Sequence, residues 1–197
     1  MSLLALSSVS LNSCNKWLDL QPQDGITNDE FWKTKEDVHA GLIGIYSSLN
    51  GGGVERSLFL WGELRADLVG LTSYASDDNR FVKNYNILST NTISDWSAVY
   101  TAINNCNLLI DKAPQAKEAD PTFTDAEYND AVGEALAIRS FLYFYLVRTF
   151  RDIPLKLKGI AKDTDIVPTP QSSAEEVLKQ IVADLIKAQG MVPEYLV

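Results

Sequence analysis

The chain has 197 residues, of which 46% are hydrophobic, and it carries a formal net charge of −9. A chain of this length buries roughly 70% of the surface that its unfolded form exposes, which favours a single domain with its own core. The acidic balance argues against nucleic acid and against electrostatic docking on anionic lipid, since both need clustered basic residues. Two cysteines do not make a disulfide framework.

Residues 1–13 are a short apolar leader that ends in a small residue before Cys14. The run Leu11-Asn12-Ser13-Cys14 resembles the lipobox of bacterial lipoproteins, which predicts a signal peptide over residues 1–13 and lipidation of Cys14. Asn12 and the lack of a preceding Lys or Arg depart from that pattern, and a plain tail with a free thiol is the alternative. Residues 14–26 then form an extended tether.

Two capping signals precede the first long helix. Thr27 to Glu30 and Thr34 to Asp37 both have the spacing at which side chains cap a helix N-terminus. A helix is predicted from about Lys35 to Leu49, and the three glycines that follow Asn50 end it. The single histidine, His39, lies beside the apolar stripe without a nucleophile or metal-ligand partner, so we do not predict catalysis by it.

The segment from Ser57 to Leu71 has apolar residues at helical spacing that Gly62 interrupts. Glu63 and Asp67 are one helical turn apart within it. A glycosidase pair is one interpretation, but neighbours on one helix point together rather than flank a bond. Structural pairing of these carboxylates with a basic residue is the favoured interpretation.

Residues 73–93 are rich in Asn, Ser, Thr and Asp with aromatic residues between them, as in exposed loops that bind ligands. Aromatic faces together with carboxylate, amide and guanidinium groups suit a glycan surface. The candidate ligand contacts, counting the preceding acid, are Asp67, Tyr74, Asp77, Asp78, Asn79, Arg80 and Tyr85. The alternative is a solvated connector, and the acidic run lacks the spacing of a calcium-binding loop.

A second long helix is predicted from Ser94-Asp95 to about Lys112, with Pro114 after its end. The charged stretch from Ala113 to Phe123 is then an inserted loop.

The central element is the helix predicted over Thr124–Phe150, which opens with the capping box Thr124 to Glu127. Its second half is apolar nearly all round, as in a helix covered on more than one side. Arg139 falls within the apolar stripe, which predicts a buried ion pair with Glu63 or Asp67 as partner. The alternative is that Arg139 extends to solvent at the edge of a helix contact.

A last helix is predicted from about Ser173 to Gln189, after a loop over residues 159–171. Its apolar residues spread over so broad a face that they need partners on two sides.

Five pieces in order resemble the SusD/RagB family of nutrient-binding lipoproteins. They are the Cys14 to Pro22 start, the Phe31 to Tyr46 helix, Trp96 to Asn107, the Gly133 to Leu155 signature helix and Glu176 to Ala188. The family has glycine where this chain has Arg151, which puts the turn at that point in doubt. Family members are considerably longer, so residues 27–197 are interpreted as their N-terminal helical domain, truncated at its C-terminal end.

The resemblance implies an all-α fold of irregular tetratricopeptide-like helical hairpins with long inserted loops, because Trp96 to Ile103 and Ala137 to Phe141 also resemble the two helices of that repeat. It implies a lipid-anchored protein on the bacterial outer-membrane surface that captures oligosaccharide or peptide and delivers it to a TonB-dependent transporter. The resemblance implies no cofactor and no enzymatic activity. A tetratricopeptide-like scaffold for a partner protein is the alternative, and an enzyme built on Glu63 and Asp67 is a remote third.

Overall fold

The computed structural model describes residues 31–51 and 53–193. The predicted signal peptide, Cys14, the tether and the cap at Thr27 lie outside these residues. Within them the chain forms six α-helices and one pair of two-residue strands, in the following order. The elements are α1 (Lys35–Asn50), α2 (Val54–Phe59) continuing into a π-helical turn (Leu60–Leu64), α3 (Asp77–Lys83), a 3₁₀ turn (Thr92–Ser94), α4 (Ser97–Ala119), α5 (Asp125–Phe150), β1 (Ile153–Pro154), a 3₁₀ turn (Asp163–Asp165), β2 (Gln171–Ser172) and α6 (Ala174–Gln189).

Three of the helices begin where their capping residues predict. Thr34, Thr124 and Ser173 each accept a hydrogen bond from the backbone N–H three residues on, and the acidic residue at that position caps in return. Helix α1 ends at Asn50, before Gly51. The predicted bounds of α1, α5 and α6 are therefore confirmed to within one residue.

Helix α4 is longer than predicted, and the expectation that Pro114 ends it is wrong. The helix continues through Pro114 to Ala119, so most of the predicted loop over Ala113–Phe123 is helical. A proline inside a helix removes one backbone hydrogen bond and costs about 3 kcal/mol. The fully buried side chains of Ala113 and Ala116 on either side of Pro114 supply the packing that offsets this cost.

Helix α5 is the centre of the fold and packs against α4, α6 and α1. Its buried positions extend over most of its length, from Ala131 to Val147. A short turn joins α4 to α5 as a helical hairpin, whereas a long loop joins α5 to α6. The fold is thus all-α, with irregular tetratricopeptide-like hairpins and long inserted loops, as predicted.

The long loop between α5 and α6 closes at its base through β1 and β2. Ile153 pairs with Ser172 and Pro154 with Gln171 in antiparallel register. The Asp152 carboxylate accepts a hydrogen bond from the backbone N–H of Ala174 at 3.1 Å. This small ladder holds the start of α6 against the end of α5.

The turn after α5 has a positive φ at the position where the family has glycine. Arg151 has φ 67° and ψ −83°, a sparsely populated conformation that costs a residue with a side chain about 1–3 kcal/mol. The positive φ is one that glycine adopts readily, but the ψ value differs from that of the left-handed cap that the family's glycine predicts.

Helix α6 is covered on one side only in the part of the chain that the structure describes. Val177, Ile181 and Ala188 are buried against α5. The opposite apolar side chains are exposed, and they are Leu178, Val182, Leu185 and Ile186. The second partner that the broad stripe requires is therefore not among the described residues.

Two further features bear on chemistry. Cys106 is fully buried in α4, and burial raises the pKa of its thiol to about 12, which makes it unreactive at neutral pH. No helix within residues 31–51 and 53–193 combines the length and the hydropathy that crossing a bilayer requires.

Candidate ligand-binding surface

Most of the predicted ligand contacts lie in the segment between the π-helical turn and α4. The segment is not a plain loop, because residues Asp77–Lys83 form helix α3. The Ser76 hydroxyl caps this helix by accepting a hydrogen bond from the backbone N–H of Asn79 at 3.3 Å. The helix gives the candidate residues a defined spacing that the sequence did not predict.

Asp78 holds α3 against the 3₁₀ turn that precedes α4. Its Oδ2 accepts hydrogen bonds from the Thr92 hydroxyl and from the Thr92 backbone N–H, the latter at 3.1 Å. The side-chain hydrogen bond from Thr92, followed by the backbone one, lowers the pKa of Asp78 below its usual value. The side chain of Asn91 adds a hydrogen bond to the Asp78 carbonyl at 3.0 Å. The Asp78 carboxylate is therefore engaged within the protein.

Arg80 is engaged in the same way. Its Nε donates to the carbonyl of Ala75 at 3.2 Å and its Nη2 to the carbonyl of Ser73 at 2.9 Å. The guanidinium thus fastens the chain that enters α3. These bonds fix the backbone on either side of Tyr74, although Arg80 itself is exposed.

Three contacts tie the far end of α3 to the chain that leaves the π-helical turn. The Lys83 ammonium pairs with the Asp67 carboxylate and also donates to the Val69 carbonyl at 3.3 Å. The Tyr85 hydroxyl donates to the Arg65 carbonyl at 3.0 Å. Asp67 and Tyr85 both have positive φ, at 65° and 56°. Asp67 therefore pairs with a basic residue, and that residue is Lys83.

Aromatic surface remains open to solvent on this braced segment. The Tyr74 side chain is 96% exposed, and Tyr85 is 69% exposed although its hydroxyl is bonded. Asp77 is exposed and lies on the first turn of α3. The Oδ1 atom of Asn79 is buried without a hydrogen-bond partner. Of the predicted contacts, Tyr74, Asp77 and the Tyr85 ring are open to a ligand, whereas Asn79 can offer only its amide nitrogen because its Oδ1 atom is buried.

The buried arginine of α5 is paired, but not with the predicted residues. Arg139 Nη2 lies 2.7 Å and Nε 2.9 Å from Asp184 Oδ2 on α6. Its Nη1 donates to Asn107 Oδ1 on α4 at 2.7 Å. The side chains of Arg139 and Asp184 are 5% and 7% exposed. The assignment of Glu63 or Asp67 as partner was wrong, because α6 and not the α2 segment packs on this side of α5.

Asp184 could have been found from the pattern of its own helix. It stands at the spacing of Val177, Ile181 and Ala188, so it occupies a position in the apolar stripe of α6. A carboxylate in such a stripe needs a buried basic partner, as a guanidinium in the stripe of α5 needs an acidic one. A charged residue of opposite sign within the apolar stripe of each of two predicted helices therefore indicates that the two residues pair.

A row of polar side chains along α4 also went unnoticed in the sequence. Their spacing of three and four residues places them on one face, and they are Tyr100, Asn104, Asn107 and Asp111. The Tyr100 hydroxyl donates to the carbonyl of Pro154 in β1 at 2.6 Å, and the other three bond the loop that follows. Asn104 exchanges hydrogen bonds with Ile160 at 3.0 and 2.8 Å, and Asp111 accepts from the Gly159 N–H at 2.9 Å. This polar row holds the loop along α4.

The residues considered for catalysis do not assemble. His39 is exposed, and its ring meets Phe123 edge-on with centroids 6.3 Å apart. Glu63 lies in the π-helical turn, and the Asp67 carboxylate is paired with Lys83. Within the described residues there is no group of three or more His, Cys, Asp or Glu side chains that could hold a metal ion.

Comparison with known proteins gives consistent matches over nearly the whole chain. The model of a SusD-like family, described as starch-binding associating with outer membrane, matches residues 16–196. SusD-like protein P38 of Formosa agariphila is 33% identical over 189 residues, which cover 95% of this chain and 36% of that protein.

Solved structures match as well. A SusD superfamily protein from Bacteroides vulgatus has a TM-score of 0.73 and 28% identity over 85% of this chain and 36% of its own. A laminarin binding SusD-like protein has a TM-score of 0.67 and 28% identity, over 82% of this chain and 35% of its own. The chain spans about a third of the length of the relatives it matches.

Proposed function

This chain belongs to the SusD-like family, and we propose that it forms part of a cell-surface protein that captures oligosaccharide and delivers it to a TonB-dependent outer-membrane transporter. The mechanism is binding and transfer, with no bond broken. The lipid anchor on Cys14 and residues 14–26 as tether belong to the same proposal, and they place the protein on the outer membrane of a bacterium.

The observation that carries the proposal is the match in fold to a laminarin binding SusD-like protein at 28% identity. Laminarin binding is a property of that protein, and a glycan ligand is the corresponding proposal for this one. The exposed segment supports it, because aromatic rings held open to solvent on a braced backbone are the groups on which sugar rings stack.

We assign the roles within the segment according to which groups the protein leaves uncommitted. Tyr74 and the ring of Tyr85 supply stacking faces, while Asp77 and Asn79 supply hydrogen bonds. Asp67, Asp78 and Arg80 are positioning residues, since their charged groups already bond within the segment. The ligand binds on the outer side of α3.

Isothermal titration with a panel of polysaccharides that includes laminarin and starch tests the proposal. We expect one of them to bind, and the Tyr74→Ala and Tyr85→Ala variants each to lower the affinity at least fivefold. Tyr46→Ala is the matched control, because Tyr46 is a partly exposed tyrosine on α1. Failure of every glycan to bind, together with a stable complex with a partner protein, would favour the scaffold alternative.

Two measurements test the location and the delivery step. Mass spectrometry of the membrane fraction from the source bacterium should find Cys14 at the mature N-terminus with lipid attached, and an unmodified peptide that retains residues 1–13 would contradict the anchor. Affinity purification from solubilised outer membranes should recover a TonB-dependent transporter, and its absence under conditions that preserve such complexes would contradict delivery.

A further inference from the structure

A small cavity lies where the π-helical turn, the end of α5 and the 3₁₀ turn before α4 meet. Its volume is about 240 Å³. Pockets for drug-sized ligands measure about 300–1,000 Å³, so this one suits a single sugar ring or a group of similar size. The lining residues are Trp61, Arg65, Ile87, Ile93, Ser94, Thr149 and Phe150.

Arg65 is the charged residue of this lining. Its Nε atom is buried without a hydrogen-bond partner, and Arg65 forms no ion pair with any residue in the described part of the chain. A buried donor on a charged group is costly when it is left unsatisfied. By contrast, the Arg139 guanidinium has a carboxylate and an amide as partners. The Nε atom of Arg65 is closed to solvent, so the capacity of Arg65 to bind a ligand in the cavity lies with its two terminal nitrogens.

The rest of the wall suits a sugar ring. The Trp61 indole N–H donates to the carbonyl of Ile93 at 2.7 Å, so the polar atom of this side chain is already used. Phe150 packs against the Trp61 ring edge-on with centroids 5.1 Å apart. The cavity thus has a fixed aromatic side, and the hydroxyls of Ser94 and Thr149 add groups that can both donate and accept hydrogen bonds.

A second arginine lies beside the π-helical turn, which itself carries Glu63. A side chain at Gly62 would meet Arg148 Nη2, which lies 3.5 Å from the ideal Cβ position. Arg148 stacks over the Tyr145 ring at 4.5 Å and has no ion pair in the described part of the chain. Two guanidinium groups without carboxylate partners therefore flank the π-helical turn of a protein with net charge −9.

We propose that this cavity binds one acidic sugar residue, with its carboxylate on the Arg65 guanidinium and its ring against Phe150, because Trp61 behind it is only 4% exposed. An arginine and a carboxylate form charge-assisted hydrogen bonds that are roughly twice as strong as neutral ones. The inference rests on the proposed glycan-binding function and narrows its ligand to glycans that contain uronic acid. Tyr85 borders this site, because its hydroxyl donates to the carbonyl of Arg65 at 3.0 Å.

The test is a titration of the whole chain with D-glucuronate, D-glucose and acetate, followed by calorimetry and by the Trp61 indole N–H resonance. We expect glucuronate to bind at least tenfold more tightly than glucose or acetate and to shift the Trp61 resonance. Equal affinity for glucose would overturn the role of the carboxylate, and equal affinity for acetate would overturn the role of the sugar ring.

Variants make the assignment specific. Arg65→Gln should lower the affinity for glucuronate at least tenfold, and Arg65→Lys should lower it less because the charge remains. Lys187→Gln is the control, since it removes the same charge from an exposed position on α6. Circular dichroism verifies that each variant is folded. Unchanged affinity in Arg65→Gln would overturn the inference.

Failure here can be told apart from failure of the general proposal. Binding of laminarin or starch without binding of glucuronate would overturn this inference alone. Binding of glucuronate that depends on Arg65 would support this site even when no neutral polysaccharide binds.

Discussion

The helical core and the surface segment from Arg65 to Trp96 use the same kinds of side chain in opposite ways. In the core, Arg139 and Asp184 are almost fully buried and join three helices through bonds of 2.7–2.9 Å. On the surface, Asp67 is 72% exposed in its pair with Lys83, and most of the other bonds run from side chains to nearby backbone. In the core, charged side chains thus join helices to one another. In the surface segment, they hold a local backbone conformation that is open to solvent.

The difference shows what each region tolerates. Breaking a buried pair leaves a charge without water or partner, whereas an exposed pair that is broken returns both groups to solvent. We therefore expect substitutions in the core to change global stability and substitutions in the segment to change local order and binding. The following predictions test this contrast from the largest expected effect to the smallest.

Removing the buried guanidinium should have the largest effect. Arg139→Met leaves Asp184 buried without its charged partner, and we expect a loss of about 3–5 kcal/mol in the free energy of unfolding. Lys83→Met, which breaks the exposed pair, should cost only about 0–1 kcal/mol. Urea unfolding followed by circular dichroism measures both. The contrast between the regions would fail if the two losses were equal.

Adding one methyl group at Gly159 should be the next largest change. A Cβ there would lie 2.8–2.9 Å from atoms of Leu108, two of them backbone atoms of α4. The loop that the polar row holds would have to move away, at a cost of about 1–3 kcal/mol.

The matched control for this substitution is Gly44→Ala. A Cβ at Gly44 meets nothing within 4 Å, and glycine within a helix is worse than alanine by about 0.5–1 kcal/mol. Thermal unfolding should therefore show a lower Tm for Gly159→Ala and a higher Tm for Gly44→Ala. A gain in both would show that the loop does not approach α4 so closely.

Replacing Arg151 with glycine should raise stability slightly. Glycine adopts φ 67° without the side-chain penalty of about 1–3 kcal/mol, and it gives back roughly 0.5–1 kcal/mol through its greater freedom when unfolded. The net gain is therefore about 2 kcal/mol or less. Arg151→Ala keeps the Cβ and should not stabilise. A gain in both variants would assign the effect to the lost charge and not to the backbone.

The smallest effect concerns the acid sensitivity of the surface segment. The pKa of Asp78 is lowered by hydrogen bonds that form only in the folded segment, so its contribution is present above its unfolded pKa, near 3.8. It is lost as the pH falls through the lower folded value. The protection factors for hydrogen exchange at residues 76–94, which correct for the intrinsic pH dependence of exchange, should therefore fall below about pH 3.8.

Asp78→Asn should show faster exchange already at pH 5, because a neutral amide oxygen accepts the two bonds from Thr92 more weakly than the carboxylate does. Asp77→Asn is the matched control on the next residue and should behave as the wild type. Faster exchange throughout α5 in Asp78→Asn would mean that the segment and the core are not separate in stability.

Features that depend on residues close together in the sequence were predictable. Features that depend on contacts between residues far apart in the sequence were not. Thr34, Thr124 and Ser173 fix helix starts by bonds to residues three positions away, so the pattern suffices. Pro114 predicts the end of a helix from the sequence, and only the packing of Ala113 and Ala116 explains why the helix continues through it.

The same distinction applies to the candidate site. The exposed aromatic residues of the segment could be recognised by their composition, because exposure follows from polar surroundings. The bonds of Asp78 to Thr92 and of Arg80 to the carbonyls of Ser73 and Ala75 depend on how α3 folds back on its flanks. No periodicity encodes that arrangement, so residues that position the site could not be separated from residues that face the ligand.

The burial of Cys106 has a practical consequence for the anchor. The sequence contains two cysteines, and the thiol of Cys106 is shielded from solvent and from ionisation at neutral pH. Any maleimide dye that attaches to the native protein therefore reports Cys14 alone. A folded chain that takes up dye therefore has a free thiol at Cys14, so a gel assay of labelling tests the proposed lipidation of that residue.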